Sequence, residues 1–285
     1  MLGRCVILVT CAFIESAAAQ FTPTLLQNET YWAGGKAEYD FYDAQLMRDG
    51  QARPCEVLHI FVREPSDLIQ RAKPDEVHLR ETIKVIKFNQ IIHAPAGLVL
   101  YQQMHSSFFR IDNGMLIDST LTSSDSVGNT FKEITRADEQ ISFDYRTYEN
   151  SATTGGQNIT ALANGYFYDE LPLRVRTIDF AKPKGEFEIQ LAPSVINSKK
   201  DTLVFKPAKV SFTVSERNID ISVEHAAGTD RFVLDARFPF LLRKWQAADG
   251  SHLNMKNSLR VDYLTYNKNG DRERALKDPM LRHPD

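Results

Sequence analysis

The sequence predicts a mainly β fold: curved antiparallel sheets, half-barrel or barrel-like, possessing two related halves and little helix. Three observations predict it. Several segments of about ten residues alternate apolar and polar side chains, the period of a strand. Aromatic residues make up 10% of the chain while glycine and proline are sparse at 14 and 12 of 285, which favours long strands over loop-rich architectures. No segment sustains the 3.6-residue apolar period of a helix.

In chain order, residues 36–47 and 55–63 read as strands flanking Arg48-Asp49-Gly50-Gln51, where Asp-Gly is a strong two-residue hairpin signal. That turn sets Tyr39 opposite Ile60 and Phe41 opposite Leu58 on an apolar face. Glu38 then faces Phe61, Asp40 faces His59 and Tyr42 faces Val57 on the other. The second face is mixed, so something must cover part of it. Long strands follow at 81–92 and 98–111, joined around Ala94-Pro95-Ala96-Gly97, then at 115–122, 130–136 and 141–148. Ten such residues reach roughly 33 Å, so the strands must twist and curve.

The second half carries a hairpin of different character. Val210, Phe212, Val214, Ile219, Ile221 and Val223 share one side across the turn Ser215-Glu216-Arg217-Asn218, and the reverse side is polar, the pattern of a sheet with one wet face. Other strands are expected at 186–191, 202–205, 231–234 and 259–266. Helix is confined to a turn or two after Pro65 and a short stretch within 159–168. The expected organisation is an N-terminal β half at 20–149, a polar linker at 150–158, a C-terminal β half at 159–266 and a loosely held polar tail at 267–285.

Arg4, the apolar run 5–14 and Ala17-Ala18-Ala19 have the layout of a secretory signal peptide, cleaved before Gln20. The run is about half the ~20 residues a spanning helix needs. A rival reading makes Cys11 of Leu8-Val9-Thr10-Cys11 a lipid-anchored residue, with Thr10 where a smaller residue is usual. Export to the periplasm or exterior is therefore expected, as a soluble or membrane-peripheral chain. Removing residues 1–19 leaves Cys55 alone, expected in the core, and one thiol makes neither a disulfide, a CxxC motif nor a zinc site.

With 34 basic against 37 acidic residues and no basic cluster, nucleic acid is not an expected partner. There is no GxSxG elbow, HExxH, P-loop or GxGxxG after a strand, and no cofactor or metal is expected. His93 and His105 pair only if their turn centres in Leu98-Val99-Leu100; a turn at Ala94–Gly97 sets them apart.

Asp40 opposite His59 is the sharpest polar pair. A carboxylate there would raise the imidazole pKa and orient it for general-base chemistry, with Tyr42 as the adjacent hydroxyl; structural cross-strand pairing is the plainer alternative. Glu38, Asp40 and Asp43 could supply carboxylates for glycoside hydrolysis, at a separation one strand does not reveal. Trp32, Trp245 and the Tyr166-Phe167-Tyr168 cluster could line a sugar or lipid site or simply pack a core. Tyr42, Val57, His59 and Phe61 are candidate walls of a ligand pocket, because a sheet apolar on both faces must bury both.

Lys36-Ala-Glu-Tyr-Asp-Phe-Tyr42, Arg48-Asp-Gly-Gln-Ala-Arg53, His59-Ile-Phe-Val-Arg-Glu64, Tyr168-Asp-Glu-Leu-Pro-Leu-Arg-Val-Arg176, Ala248-Asp-Gly-Ser-His-Leu253 and Ser258-Leu-Arg-Val-Asp-Tyr263 span most of the chain. Together they resemble an exported bacterial family of unknown function. Some of its members carry the label septum formation inhibitor Maf, although nothing here looks like a nucleotide pyrophosphatase. By fold analogy the family is akin to curved half-barrels that hold lipoprotein acyl chains. The resulting expectation is a non-enzymatic module binding an apolar or amphiphilic envelope molecule, a lipid or glycolipid. The alternatives are a structural component of the envelope and a hydrolase acting on an envelope glycan or ester.

Overall fold

The computed structural model describes residues 21–48, 50–75, 82–124, 128–148, 154–196 and 202–283. Fifteen strands are described: β1 (Lys36–Arg48), β2 (Gln51–Asp67), β3 (Thr82–Ala96), β4 (Val99–Arg110), β5 (Leu116–Ser124), β6 (Asn129–Ala137), β7 (Gln140–Thr147), β8 (Thr154–Thr160), β9 (Gly165–Phe167), β10 (Lys184–Ala192), β11 (Lys206–Val214), β12 (Asn218–His225), β13 (Gly228–Asp235), β14 (Leu242–Gln246) and β15 (His252–Asp262). They form one curved, mostly antiparallel sheet in the order β8-β7-β6-β5-β4-β3-β2-β1-β15-β14-β13-β12-β11-β10-β9. Its first arm, β1–β8, and its second, β9–β15, are joined by the pairing of β1 with β15.

The expected registers hold in both hairpins: Tyr39 faces Ile60 and Asp40 faces His59, and Val210 faces Val223. Between β3 and β4 the strands run further than the proline suggested. Pro95 pairs with Leu100 and Ala96 with Val99, leaving Gly97-Leu98 as the turn, with Gly97 at φ +69°. His93 therefore faces Gln102 and His105 faces Gln90, so the two histidines are not partners. β2 likewise continues through Pro65 to Asp67, where a short helix was expected. Proline is tolerated because β1 no longer pairs with β2 there.

Three further expectations are corrected. Residues 154–158 of the expected linker belong to β8, paired along β7, and 150–153 lie outside the described residues. Residues 202–205 form no strand; Leu203 instead meets β8 through one side chain, Gln157, whose amide donates to the Leu203 carbonyl and accepts from its N–H, both at 3.0 Å. The tail is docked. Its helix (Asp271–Lys277) sets Ala275 and Leu276 against Phe41, Leu259 and Val261, so the hydrophobic outer face of β1 and β15 is sheltered.

Helical structure follows β9 directly instead of lying within 159–168. A 3₁₀ turn (Tyr168–Glu170), a single α-helical turn (Leu171–Arg174) and a second 3₁₀ turn (Val175–Thr177) make a ten-residue plug inside the curve of the sheet. Leu173 packs with Phe61, Phe88 and Phe109 of the first arm, whereas Leu171 and Val175 pack with Phe187, Val210 and Ile221 of the second. Each arm thus buries its concave face on a shared element, and the covering that the mixed face of β1–β2 required is largely protein.

Cys55 is half-buried rather than in the core, and burial pushes its thiol up to about 11. Since the thiolate is the reactive form, thiol labelling at pH 8 in a Cys5→Ser/Cys11→Ser background is expected to be on the order of a hundredfold slower in the native chain than in urea. Equal rates would refute the shift.

Candidate functional site

Alternation places Glu38, Asp40 and Tyr42 of β1 with Val57, His59 and Phe61 of β2 on the inner face, and all six are essentially inaccessible. The polar residues continue sideways. Ser258, Asp40, His59, Gln90 and His105 are successive cross-strand partners on β15, β1, β2, β3 and β4, a polar row across five strands.

At one end of that row sits a buried charge cluster centred on Arg176 of the plug. Its guanidinium donates to both oxygens of Glu38 at 2.6 and 3.0 Å and to the Pro239 carbonyl, and stacks 4.9 Å over the Phe61 ring. The Tyr31 hydroxyl also donates to Glu38. Burial would raise the Glu38 pKa, but the charge and hydrogen bonds of Arg176 hold it below the ordinary value. Asp40 accepts from Ser258 Oγ at 2.6 Å, and burial together with the neighbouring Glu38 charge pushes its pKa well up.

Asp40, His59 and Tyr42 are thus brought together without a hydrogen-bonded relay. Among the described residues neither His59 ring nitrogen has a partner, and the Tyr42 hydroxyl donates to the Leu242 carbonyl at 3.0 Å. The expected rise in the His59 pKa is reversed: burial, reinforced by Arg176, lowers it to about 3. The Glu38 charge opposes the shift without reversing it. Asp43 faces outward to Lys256, apart from Glu38 and Asp40.

A cavity of about 460 Å³ opens beside this cluster, between the two arms. Leu46 and Arg48 of β1, Ile92 of β3, Tyr101 and Gln103 of β4 and Leu253 of β15 wall one side; Phe232 of β13 and Trp245 of β14 wall the other, and Tyr168 and Leu171 of the plug close the back. Tyr42, Val57, His59 and Phe61 do not line it. Tyr42 and Val57 lie behind the wall, packed with Ile92, Tyr101 and Leu253, while the His59 ring meets Tyr42 at a tilt and Phe61 and Phe88 edge-on. Of the aromatic candidates, Trp245 and Tyr168 reach the cavity; Trp32 and Phe167 are core.

Polar groups in the wall are held by one another. Asp230 accepts from Tyr168, from the Ala248 N–H at 2.9 Å and from Trp245 Nε1 at 3.3 Å, and meets His225 Nε2 at 3.1 Å. Burial would raise its pKa; these hydrogen bonds keep it below the ordinary carboxylate value. Asp169 accepts from Ser194 and from the Val195 N–H, and Arg48 lies 4.2 Å over the Tyr101 ring. The result is an apolar cavity edged with fixed polar groups. Sequence reading missed the carboxylates Asp169 and Asp230 because partners that hold them come from other elements, Ser194 and Val195 for Asp169 and Tyr168 for Asp230. Among the described residues no three histidine, cysteine or acidic side chains are placed to hold a metal ion.

No family model matches the chain, and none of the curated proteins matches it significantly. Among solved structures it is similar to a β-barrel-like protein of a domain of unknown function, DUF1849, from Brucella abortus. The TM-score is 0.46 at 10% identity, over 79% of this chain and 98% of that one.

Proposed function

We propose that this protein is a non-enzymatic binding module that holds an apolar or amphiphilic molecule of the cell envelope, a lipid or glycolipid, in the cavity between the two arms. The observation that carries this reading is the cavity itself. Its volume falls within the roughly 300–1,000 Å³ of small-molecule sites, and aliphatic and aromatic walls surround a few convergent polar groups. The N-terminal segment, read as a secretory signal, supports work outside the cytoplasm.

Binding of a fluorescent fatty acid such as cis-parinaric acid tests the reading. Saturable binding is expected, weakened at least tenfold in Ile196→Trp, where the larger ring fills space at the cavity wall. The thermal midpoint of that variant should stay within a few degrees of the parent. Absence of saturable binding, together with absence of co-purifying lipid in native-state mass spectrometry, would favour a structural role in the envelope.

A further inference from the structure

The cavity wall is electronegative. Among the described residues that line it, Arg48 is the one fixed cation, laid over the Tyr101 ring, whereas Asp169, Asp230 and Asp249 are carboxylates. Counting His225, beside Asp230, as a second cation still leaves the wall negative. Lys132, two strands beyond His105 on the same inner row, is not among the lining residues. The carboxylates are already held by donors of the fold: Asp230 by Tyr168, Trp245 and the Ala248 N–H, Asp169 by Ser194 and the Val195 N–H, and Asp249 by the Ser251 N–H at 2.8 Å. A ligand that brings a carboxylate or phosphate into this wall meets net repulsion, undamped by bulk water.

Beside the acids the wall is neutral and can both donate and accept. Gln90 of β3 and Gln103 of β4 share the inner face, and both line the cavity. The Gln103 amide nitrogen donates to Ser123 Oγ at 3.2 Å and to the Ile196 carbonyl at 3.3 Å, so its oxygen remains for a ligand. Gln90 is half-buried and its side chain makes no hydrogen bond among the described residues. Its cross-strand partners are His59 and His105, both buried; both ring nitrogens of His59 and Nδ1 of His105 lack partners among the described residues. Such unmet groups are costly, and Gln90 is where their row reaches the cavity. Burial lowers the pKa of both imidazoles and so keeps them uncharged near neutral pH. A neutral imidazole and an amide each donate and accept, as a hydroxyl does; an ionised carboxylate only accepts, and a quaternary ammonium does neither.

We propose that the cavity selects amphiphiles with an uncharged, hydroxyl-rich head group, a neutral glycolipid, whose sugar hydroxyls bond Gln90 and Gln103 while the tail lies along Leu46, Ile92, Leu253 and Phe232. This rests on the cavity reading above and narrows its ligand from lipids in general to neutral glycosylated ones. Gln90 carries the discrimination, because a hydrogen bond it makes to the ligand breaks none in the fold. An anionic head group is disfavoured twice, by the aspartates and by its inability to donate.

Displacement of cis-parinaric acid from the purified full chain at pH 8 reads the selectivity, with competitors of one tail length kept below micelle formation. Decyl glucoside should displace the probe at a concentration at least tenfold below that needed for decanoate or decyltrimethylammonium, and free glucose should not compete. Gln90→Leu should lower the preference for glucoside over decanoate at least fivefold. A loss of fold or of cavity volume acts on both ligands alike and does not move that ratio. Displacement by decanoate or by the ammonium as effective as that by the glucoside overturns the proposal and leaves the cavity reading standing, as does an unchanged ratio in Gln90→Leu. Free glucose competing as well as decyl glucoside also overturns it, by assigning the wall to a soluble sugar. If cis-parinaric acid does not bind and calorimetry finds no binding of decyl glucoside, the selectivity and the cavity reading fall together.

Discussion

Arg176→Met is expected to lower the unfolding free energy by about 3–5 kcal/mol, because it leaves the fully buried Glu38 carboxylate without its cation. For a chain of this size that corresponds to a fall in thermal midpoint of roughly 6–20 °C. Methionine keeps much of the packing against Phe61, so the loss reports mainly on charge. The double variant Glu38→Leu/Arg176→Met removes both charges and should recover much of the loss, since the desolvation cost of a buried pair offsets most of its attraction. Urea unfolding of the parent, both single variants and the double variant closes the cycle. A loss below about 1 kcal/mol in Arg176→Met would show that Glu38 is not held as a buried anion by this contact.

The second large effect is acid lability from buried imidazoles. His59 is lowered to about 3 from an ordinary 6.5, and His105 and His283 are also lowered, each first by burial. A lowered histidine stays neutral in the folded chain while the unfolded chain takes up a proton. The unfolded state then binds more protons below pH 6.5, so stability is complete above that pH and falls as pH drops toward 3. Between pH 6.5 and 4.5 His59 alone should remove about 2–3 kcal/mol, at 1.36 kcal/mol per unit. His59→Phe, set among the rings of Tyr42, Phe61 and Phe88, should shrink the pH-dependent loss over that interval by this amount, whatever its effect at pH 7. The remaining slope combines the losses at His105 and His283 with contributions of opposite sign from Asp40 and Asp118, whose raised pKa values let the folded chain take up a proton before the unfolded one. Glu38, whose pKa is lowered, adds its own loss only below about 4.5, its ordinary value. An unaltered slope in His59→Phe would mean that His59 is protonated in the native state.

What the sequence made legible was local. Alternation together with Asp49-Gly50 placed Asp40 opposite His59, and alternation alone placed Val210 opposite Val223 across a poor turn, because a one-residue slip would expose every apolar side chain on the face. Pro95 misled by naming a turn where the chain was still a strand. The plug escaped because Leu171–Arg174 is one helical turn between two 3₁₀ turns, too short to show an apolar period. Its arginines could have been suspected from Glu38 and Asp40, two acids on a strand face whose partners include Phe61, since such a face cannot be buried without a cation or a proton. The cavity was out of reach for a different reason. Tyr101, Tyr168 and Trp245 come from distant parts of the chain, and no register within a hairpin relates them.

The pairing of β1 with β15 also sets an order of events. Every other neighbour of β1–β8 lies within its own arm, so those strands can pair as soon as they are made, but the free side of β1 waits for a partner more than two hundred residues downstream. Until residue 262 is available, a partly synthesised or truncated chain presents the edge of β1, with Glu38 and Asp40 in the strand and Arg176 not yet seated. Such long-range closure slows folding, and an open strand edge is a template for misassembly. The cavity, which needs Leu46 of β1 and Leu253 of β15 in the same wall, is among the last features to exist. A chain lacking the final strand would hold neither the joint nor the site, and chaperone dependence would be concentrated in the interval before that strand arrives.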